Sequence, residues 1–402
     1  MSHFIANKVV SVTNPSLIVI LIAEGQAGWC QQYAEEGYDV IHVPYALATN
    51  ASFAKLLADT KALCSDHRAK STPWVVITFG VQEQDWQTFM QEFDVAGELK
   101  AAVHYCPRAQ EGAKFLMKGS NGQYTPTVVH LASTQEELAE SLITAADVID
   151  HESATSLMMQ PPITAYTYHK VSAGPPFPYD MKAPALVVAG EKSSTDPYTR
   201  SAVSLSYSRT LELLRRTIGP YFELEKLWEK HTYYEFVERD SKKTMATMVA
   251  APYVNHIATL TGGVGHDELA RFYKYHFTKD NVTPPDTELI TVSRTVGADR
   301  VVDEMIFKCT HTTEIDYFLP GVKPTGKPLE LAIVGIVAFR GDKLTFEHIY
   351  WDQASALVQL GLLDPKGLPV SGVEATRKVL DPFGLESNKL MAKWKESEGL
   401  PI

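Results

Sequence analysis

The stretch KLTFEHIYWDQASALVQLG, residues 343–361, contains the change of pattern that decides the fold of the second half of the chain. Up to Trp351 its aromatic and β-branched residues are typical of a β-strand. From Gln353 onward the apolar residues recur at helical spacing. Asp352 stands at the junction, so its carboxylate either caps the helix or takes part in chemistry at the end of the strand.

Further apolar segments upstream predict the other strands of the same domain. They cover residues 289–299, 300–312 and 327–340, and the helical pattern DELARFYKYHF at 267–277 precedes them. The glycine-rich TGGVGH at 261–266 reads as a loop. Helices followed by long strands and a closing helix predict an α+β cone.

Residue parity predicts which strand side chains point inward, because alternate side chains share a face. In RVVDEMIFKCTHT the odd positions are the more apolar: Val301, Asp303, Met305, Phe307, Cys309 and His311. This face is expected to carry Asp303 near one end and His311 at the other. Asp303 is also placed to pair with Arg294 or Arg300.

The same parity argument predicts the inward face of the last strand. In KLTFEHIYWD the even positions bring His348, Tyr350 and Asp352 together on that face, unless a β-bulge shifts the register. The alternative for His348 is a polar contact that is satisfied within the strand. The alternative for Trp351 is a role in packing or in the cavity wall.

The first half alternates strand patterns with helical patterns. Short runs at residues 17–23, 38–45, 74–80, 99–106, 126–132 and 184–190 are apolar on both faces, and helical patterns at 52–67 and 134–151 lie between them. This alternation predicts a doubly wound α/β domain.

The boundary between the halves is expected near residue 240. YYEFV at 233–237 reads as a strand and residues 238–256 read as a helix. The expected division is residues 1–240 for the α/β domain, 241–370 for the cone and 371–402 for a C-terminal tail.

Several segments of the first half resemble the dienelactone hydrolase (carboxymethylenebutenolidase) family of the α/β-hydrolase fold. They are AEEGYDVIHVPY (34–45), VHYCP (103–107) and ALVVAGE (185–191). The resemblance implies a Ser or Cys nucleophile on the sharp turn after the strand at 74–80. Gly80 stands there, and no Ser or Cys lies between Thr78 and Trp86. The family's acid falls nearest Asp196 and its histidine falls on Tyr234, so the resemblance implies a degenerate hydrolase-like domain.

The second half resembles the SnoaL-like polyketide cyclase family, whose fold is a nuclear-transport-factor-2-like cone. The resemblance is carried by THTTEIDYFLPGVKPTGKPLEL (310–331) and EHIYWDQASALVQLG (347–361). With TMATMVAAPYVNH (244–256) and VVDE (301–304), the whole chain resembles a fungal protein type that joins a dienelactone-hydrolase-like half to this cone.

This second resemblance implies an acid/base site in an apolar cavity, without metal or organic cofactor. Asp352 matches the family's general acid/base, and His311 lies in the matched THT segment. With Asp303 they are the predicted catalytic residues. The predicted substrate-binding residues are His348, Tyr350, Trp351, His256, Tyr253, Asn255 and Phe307.

Composition excludes several other classes of protein. The net charge of −11 argues against nucleic acid as a partner. The four cysteines are far apart and have no zinc spacing, and no nucleotide-binding loop is present. The apolar run at 17–23 is too short to span a bilayer. We expect a cytoplasmic protein with a small-molecule substrate and no membrane partner, and a homodimer is a further expectation.

Three functions remain open on the sequence alone. The first is an acid/base enzyme, of cyclase, isomerase, dehydratase or hydratase type, acting on a small apolar ketone, lactone or polyketide-like substrate. The second is a lactone or ester hydrolase that uses the first domain, and the third is a non-catalytic ligand-binding protein.

Overall fold

The computed structural model describes residues 1–45, 50–67, 72–93, 98–110, 112–118, 124–152, 163–179, 181–187 and 196–402. The chain forms two compact units, Met1–Phe222 and Glu223–Ile402. The division falls earlier than the expected residue 240, just before a helix that starts at Leu224. That helix belongs to the second unit because its Trp228 donates a hydrogen bond to Asp303 of the second sheet.

The first unit is an α/β structure. Its strands are β1 (His3–Ile5), β2 (Leu17–Ile22), β3 (Asp39–Pro44), β4 (Trp74–Phe79), β5 (Leu99–Tyr105), β6 (Thr127–Ala132) and β7 (Ile163–Tyr168). Its helices are α1 (Gly28–Ala34), α2 (Asn50–His67), α3 (Glu83–Phe93), α4 (Glu136–Glu152) and α5 (Pro197–Ile218).

These strands form one sheet in the order β1-β3-β2-β4-β5-β6-β7. Only the β1–β3 pair is antiparallel. Every residue of β2, β4 and β6 is buried, which confirms the prediction of strands covered on both faces.

One predicted strand of this unit is not a strand where the structure describes it. In the run 184–190, Pro184–Leu186 form a 3-10 turn, and residues 188–190 lie outside the described residues. The short β1 and the half-exposed β7 were not predicted, because neither shows a buried apolar run.

The second unit is an α+β structure. Its strands are β8 (Met248–His256), β9 (Thr261–Val264), β10 (Glu288–Val296), β11 (Arg300–Thr310), β12 (Pro328–Arg340) and β13 (Lys343–Trp351). Its helices are α6 (Leu224–Thr232), α7 (Ser241–Ala246), α8 (His266–Phe272), α9 (Gln353–Gln359) and α10 (Glu374–Leu380). The helices α6 and α8 continue as π-helical turns, Tyr233–Val237 and Tyr273–Phe277.

The sheet of the second unit has the order β10-β11-β12-β13-β8-β9. Its pairs are antiparallel except β13–β8, which is parallel. The segment after residue 370 is not only a tail, because α10 packs on β12. There the hydroxyl of Thr376 accepts from the Ala332 amide at 3.0 Å and donates to the Glu330 carbonyl oxygen at 2.9 Å.

Three local predictions for the second unit were wrong. YYEFV is the π-helical turn Tyr233–Val237, because it continues α6 despite the β-propensity of its aromatic residues. The expected helix over 238–256 is limited to α7, and β8 follows it. TGGVGH contains β9, in which a side chain at Gly262 would lie 2.0 Å from the Val254 carbonyl oxygen.

Among the described residues, no helix has the length and apolar character needed to cross a lipid bilayer.

Candidate functional site

A small cavity of about 50 Å³ lies inside the second unit. Since one water needs roughly 10–15 Å³ by this measure, the cavity holds a few waters but no large ring system. Its wall is mostly aromatic and aliphatic. The lining residues are Trp228, Thr232, Glu235, Phe236, Val254, His256, Phe272, Tyr273, Phe277, Leu289, Met305, Phe307, Tyr317, Phe318, Ile333, Glu347 and Ile349.

Two carboxylates interrupt this apolar wall, and one buried histidine joins them. The Nε2 atom of His231 lies 3.1 Å from Glu235 Oε1 and 3.0 Å from Glu347 Oε1. The hydroxyl of Tyr273 donates to Glu347 Oε1 at 3.1 Å. We call His231, Glu235, Tyr273 and Glu347 the polar cluster, and each of its members is less than 5% exposed.

The backbone brings the cluster together from three elements. His231 and Glu235 are four residues apart, so they share one side of α6 and the π-helical turn that continues it. Tyr273 begins the second π-helical turn, and Glu347 comes from β13. Single π-helical turns often occur at functional sites.

The hydrogen bonds around Thr247 fix the proton on one nitrogen of His231. The Thr247 hydroxyl donates to the Thr244 carbonyl oxygen at 2.6 Å, so it accepts from His231 Nδ1 at 2.6 Å. Nδ1 therefore carries a proton, and Nε2 is the nitrogen that meets the carboxylates.

The cluster changes the proton affinity of its members. Burial alone would lower the pKa of His231, but Glu235 and Glu347 raise it to about 10. Burial raises the pKa of Glu235, against the opposing effect of His231. The pKa of Tyr273 also lies well above its ordinary value because of burial and the two carboxylates. At neutral pH His231 is therefore an imidazolium, and Tyr273 keeps its proton.

A second group of side chains supports His231 from behind. The Trp228 ring stacks on the His231 ring, with centroids 5.7 Å apart. Trp228 Nε1 donates to Asp303 Oδ2 at 2.8 Å, and Arg294 donates two hydrogen bonds of 2.9 Å to the same carboxylate. Arg294 also pairs with Glu225 and Glu229 of α6. These bonds hold α6 on the sheet.

His256 is the one histidine of the cavity wall. Its Nδ1 donates to the Thr261 carbonyl oxygen at 3.3 Å, and burial lowers its pKa to about 4. The ring is neutral at pH 7 and lies among aromatic neighbours, including Phe272 and Tyr317.

In the described part of the chain, one group of side chains has the residue types and spacing that could bind a metal ion. His231, Glu235 and Glu347 each offer an atom within 4.8 Å of the other two. The same atoms already contact one another at hydrogen-bond distance through His231 Nε2. The hydrogen bonds of His231 Nε2 therefore already satisfy these three side chains without a metal ion.

Two predicted site residues, His256 and Phe307, line the cavity. The odd face of β11 is buried, as the parity argument predicts. Asp303 on that face forms the ion pair with Arg294, which was the alternative reading. His311 is buried, and its Nδ1 accepts from the Thr325 amide at 3.3 Å, but it is not part of the cavity wall.

The face predicted for β13 is corrected by the structure. Leu344 is buried, but Glu347 and Ile349 are the next residues to face the interior. The pairing of β13 with β8 shifts register between Leu344 and Phe346, and this irregularity exchanges the two faces.

The even positions of β13 and their neighbours on β8 therefore lie on the other face. His348 Nε2 bonds the Tyr253 hydroxyl at 3.1 Å, Tyr350 is 40% exposed, and Asn255 is half-buried beside them in β8. The Trp351 ring packs against the Phe318 ring, with centroids 4.7 Å apart, and lies behind the cavity wall.

Asp352 has the geometry of a helix cap. It is exposed, and it accepts from the Ala354 amide at 3.0 Å and from the Ser355 hydroxyl at 2.7 Å. Its side chain is not part of the cavity wall.

The sequence reasoning missed the polar cluster. The spacing of His231 and Glu235 was a usable signal, because residues four apart share a helix face. The strand predicted over 233–237 hid it. Glu347 was missed because the parity of β13 was counted without the bulge.

Comparison with known protein families gives a match within the second unit. Residues 230–360 match the SnoaL-like polyketide cyclase family. No curated protein matches the chain significantly.

Similar solved structures each cover about a third of this chain. One is IdmH from Streptomyces antibioticus, a proposed polyketide cyclase, with 19% identity over 35% of this chain and 99% of IdmH and a TM-score of 0.29. Another is TsrD from Streptomyces laurentii, with 16% identity over 36% of this chain and all of TsrD (100%) and a TM-score of 0.29. A protein of ketosteroid isomerase-like fold from Catenulispora acidiphila has 12% identity over 34% of this chain and 94% of its own, with a TM-score of 0.28.

The family match includes the polar cluster and every residue of the cavity wall except Trp228: residues 230–360 form a SnoaL-like polyketide cyclase domain.

Proposed function

We propose that the second unit is an acid/base enzyme that moves a proton on a small, uncharged carbonyl compound without a cofactor. The observation that supports this most strongly is the polar cluster, which presents Glu235 and Glu347 to an otherwise apolar, buried cavity. Pairs of ionisable groups whose surroundings push their pKa values apart are typical of acid/base sites. The match to SnoaL-like cyclases favours the same class of reaction.

In the proposed mechanism, Glu347 is the base. Its carboxylate takes a proton from the carbon next to a carbonyl group, and the product is an enol or enolate. Glu235, whose pKa is raised, receives the Nε2 proton of the His231 imidazolium and passes it to another atom of the substrate. The proton held by Glu347 then moves to His231 Nε2, which restores the starting state. Such a transfer supports isomerisation, dehydration or ring closure, depending on where the proton returns.

His231 is a positioning residue in this scheme, because it lies behind the carboxylates and is not part of the cavity wall. Its positive charge holds Glu235 and Glu347 close together. Tyr273, which stays protonated, donates to Glu347 and orients that carboxylate.

The wall sets the substrate class. Apart from Thr232, His256, Tyr317 and the polar cluster, the lining residues are aromatic or aliphatic, and the Tyr317 hydroxyl is already bonded to Thr283. A charged molecule would lose its hydration there without a partner. Small apolar ketones, lactones and polyketide-like intermediates are therefore the proposed substrates.

Hydrogen–deuterium exchange tests this function without a known substrate. Uncharged cyclic ketones and lactones are incubated with the protein in deuterated buffer, and exchange next to the carbonyl is followed by NMR. Glu347→Gln should lower the enzymatic rate by about 10²- to 10⁴-fold. Glu288→Gln, which changes an exposed glutamate of β10, should leave it unchanged. Compounds that bind without exchanging would favour a non-catalytic binding cavity.

We infer that the first unit is an α/β-hydrolase-type scaffold that lacks its nucleophile. The parallel sheet supports this inference, and so does Gly80, which follows β4 with a φ of 64°. Asp196, the nearest candidate for the acid, caps α5 by accepting from the Thr199 amide at 2.9 Å. Burial raises the pKa of the Cys106 thiol to about 12, so that thiol is a poor nucleophile. A serine-directed fluorophosphonate probe should leave residues 74–90 unlabelled, and labelling there would contradict the inference.

A further inference from the structure

One side of the cavity wall is thinner than the rest. Fourteen of the seventeen lining residues are buried, with exposed fractions of 8% or less. The other three, Thr232, Phe236 and Leu289, are half-buried. We call these three residues, which have the largest exposed fractions in the wall, the mouth of the cavity.

The mouth residues come from one helical segment and one strand. Thr232 ends α6, Phe236 belongs to the π-helical turn Tyr233–Val237, and Leu289 is the second residue of β10. The Thr232 hydroxyl donates within its own helix, to the carbonyl oxygens of Trp228 and Glu229 at 3.2 and 3.1 Å. This leaves the two apolar side chains to close the mouth.

Phe236 is held by one aromatic contact on the inner side. Its ring meets that of Phe277 edge to face, with centroids 5.3 Å apart. Phe277 is buried and belongs to the second π-helical turn. A rotation of Phe236 toward solvent breaks this contact but disturbs no hydrogen bond of its side chain.

The size of the cavity makes such a movement necessary. With about 50 Å³ of free space, the cavity as it stands is too small for a large ring compound of the proposed kind. Substrate must therefore displace part of the wall, and a half-buried side chain costs less to move than a fully buried one.

We propose that substrate reaches Glu347 between Phe236 and Leu289, and that these two side chains set the largest molecule the site admits. The proposal rests on the proposed function only for the identity of the substrate. It predicts that compact uncharged ring compounds pass, and that bulkier ones pass only when one of the two side chains is shortened.

Thiol labelling measures this passage without any turnover, so its failure is separate from failure of the proposed function. Met305→Cys places a thiol in the cavity wall. Its modification by small methyl methanethiosulfonate and by bulky N-(1-pyrenyl)maleimide is followed by peptide mass spectrometry. Phe236→Ala and Leu289→Ala should each speed the bulky reagent by about tenfold or more, which equals about 1.4 kcal/mol of barrier. Phe236→Trp should slow it.

Two controls make the result decisive. Tyr233→Ala changes an exposed side chain of the same turn that is not part of the wall, so the rate should stay as in the parent. Cys309, 4% exposed on the same strand as Met305, reports any general loosening of the domain. Equal rates in the Phe236→Ala, Leu289→Ala and Tyr233→Ala proteins would overturn the proposal. A parallel rise at Cys309 would also overturn it, because the domain would then be opening as a whole.

Discussion

Glu347→Gln should lower the pKa of His231 substantially. The two carboxylates hold that pKa at about 10 against an ordinary value of 6.5. A difference of roughly 3.5 units corresponds to about 5 kcal/mol in favour of the charged imidazole. Glutamine keeps the size of Glu347 but removes its charge, 3.0 Å from His231 Nε2. Loss of one opposite charge at this distance lowers a pKa by about 1–3 units.

The assay is an NMR titration of the imidazole nitrogens from pH 5 to 11. The chain has 13 histidines, so the His231 signal is identified as the one missing from a His231→Gln protein. Glu288→Gln is the matched control and should leave the His231 titration unchanged. A wild-type His231 that titrates near 6.5, or a Glu347→Gln protein that still titrates near 10, would refute the reasoning.

Three further predictions follow from the same contacts. Because the folded pKa of His231 is raised, its contribution to stability is complete below pH 6.5 and is lost as the pH rises toward 10. Urea unfolding should show this decline between pH 7 and 10, and it should weaken in His231→Gln. Asp352→Asn should change neither activity nor stability, whereas Asp352→Ala should lower the free energy of unfolding by about 0.5–2 kcal/mol through loss of the cap. Catalytic loss in a folded Asp352→Asn protein would contradict this. Arg294→Met should destabilise the second unit by about 3–5 kcal/mol in thermal or urea unfolding, because it leaves Asp303 charged and buried. An unchanged midpoint would contradict this prediction.

The strands could be predicted from the sequence where the pattern of apolar residues was unambiguous. The buried strands of the first unit and the inward face of β11 follow from apolar pattern alone, and both are confirmed. The same parity argument failed for β13, because a bulge near residue 345 exchanges its faces. No residue type marks that bulge in the sequence.

The candidate site was less predictable than the fold. Two of the ten predicted site residues, His256 and Phe307, line the cavity. The polar cluster depends on a π-helical turn whose aromatic residues have a strand-like pattern. Tertiary packing overrides this local preference, and only the packed structure brings Glu347 of β13 beside His231.

The turn Tyr233–Val237 links the entry of substrate to the transfer of a proton. Glu235 and Phe236 are consecutive residues, one bonded to His231 and the other closing the mouth. A displacement of Phe236 that carries its backbone along also draws Glu235 away from the imidazolium. The proton donor is then disassembled while the cavity is accessible to bulk water, and it is restored when the ring returns. Admission of substrate and proton transfer would thus alternate in time.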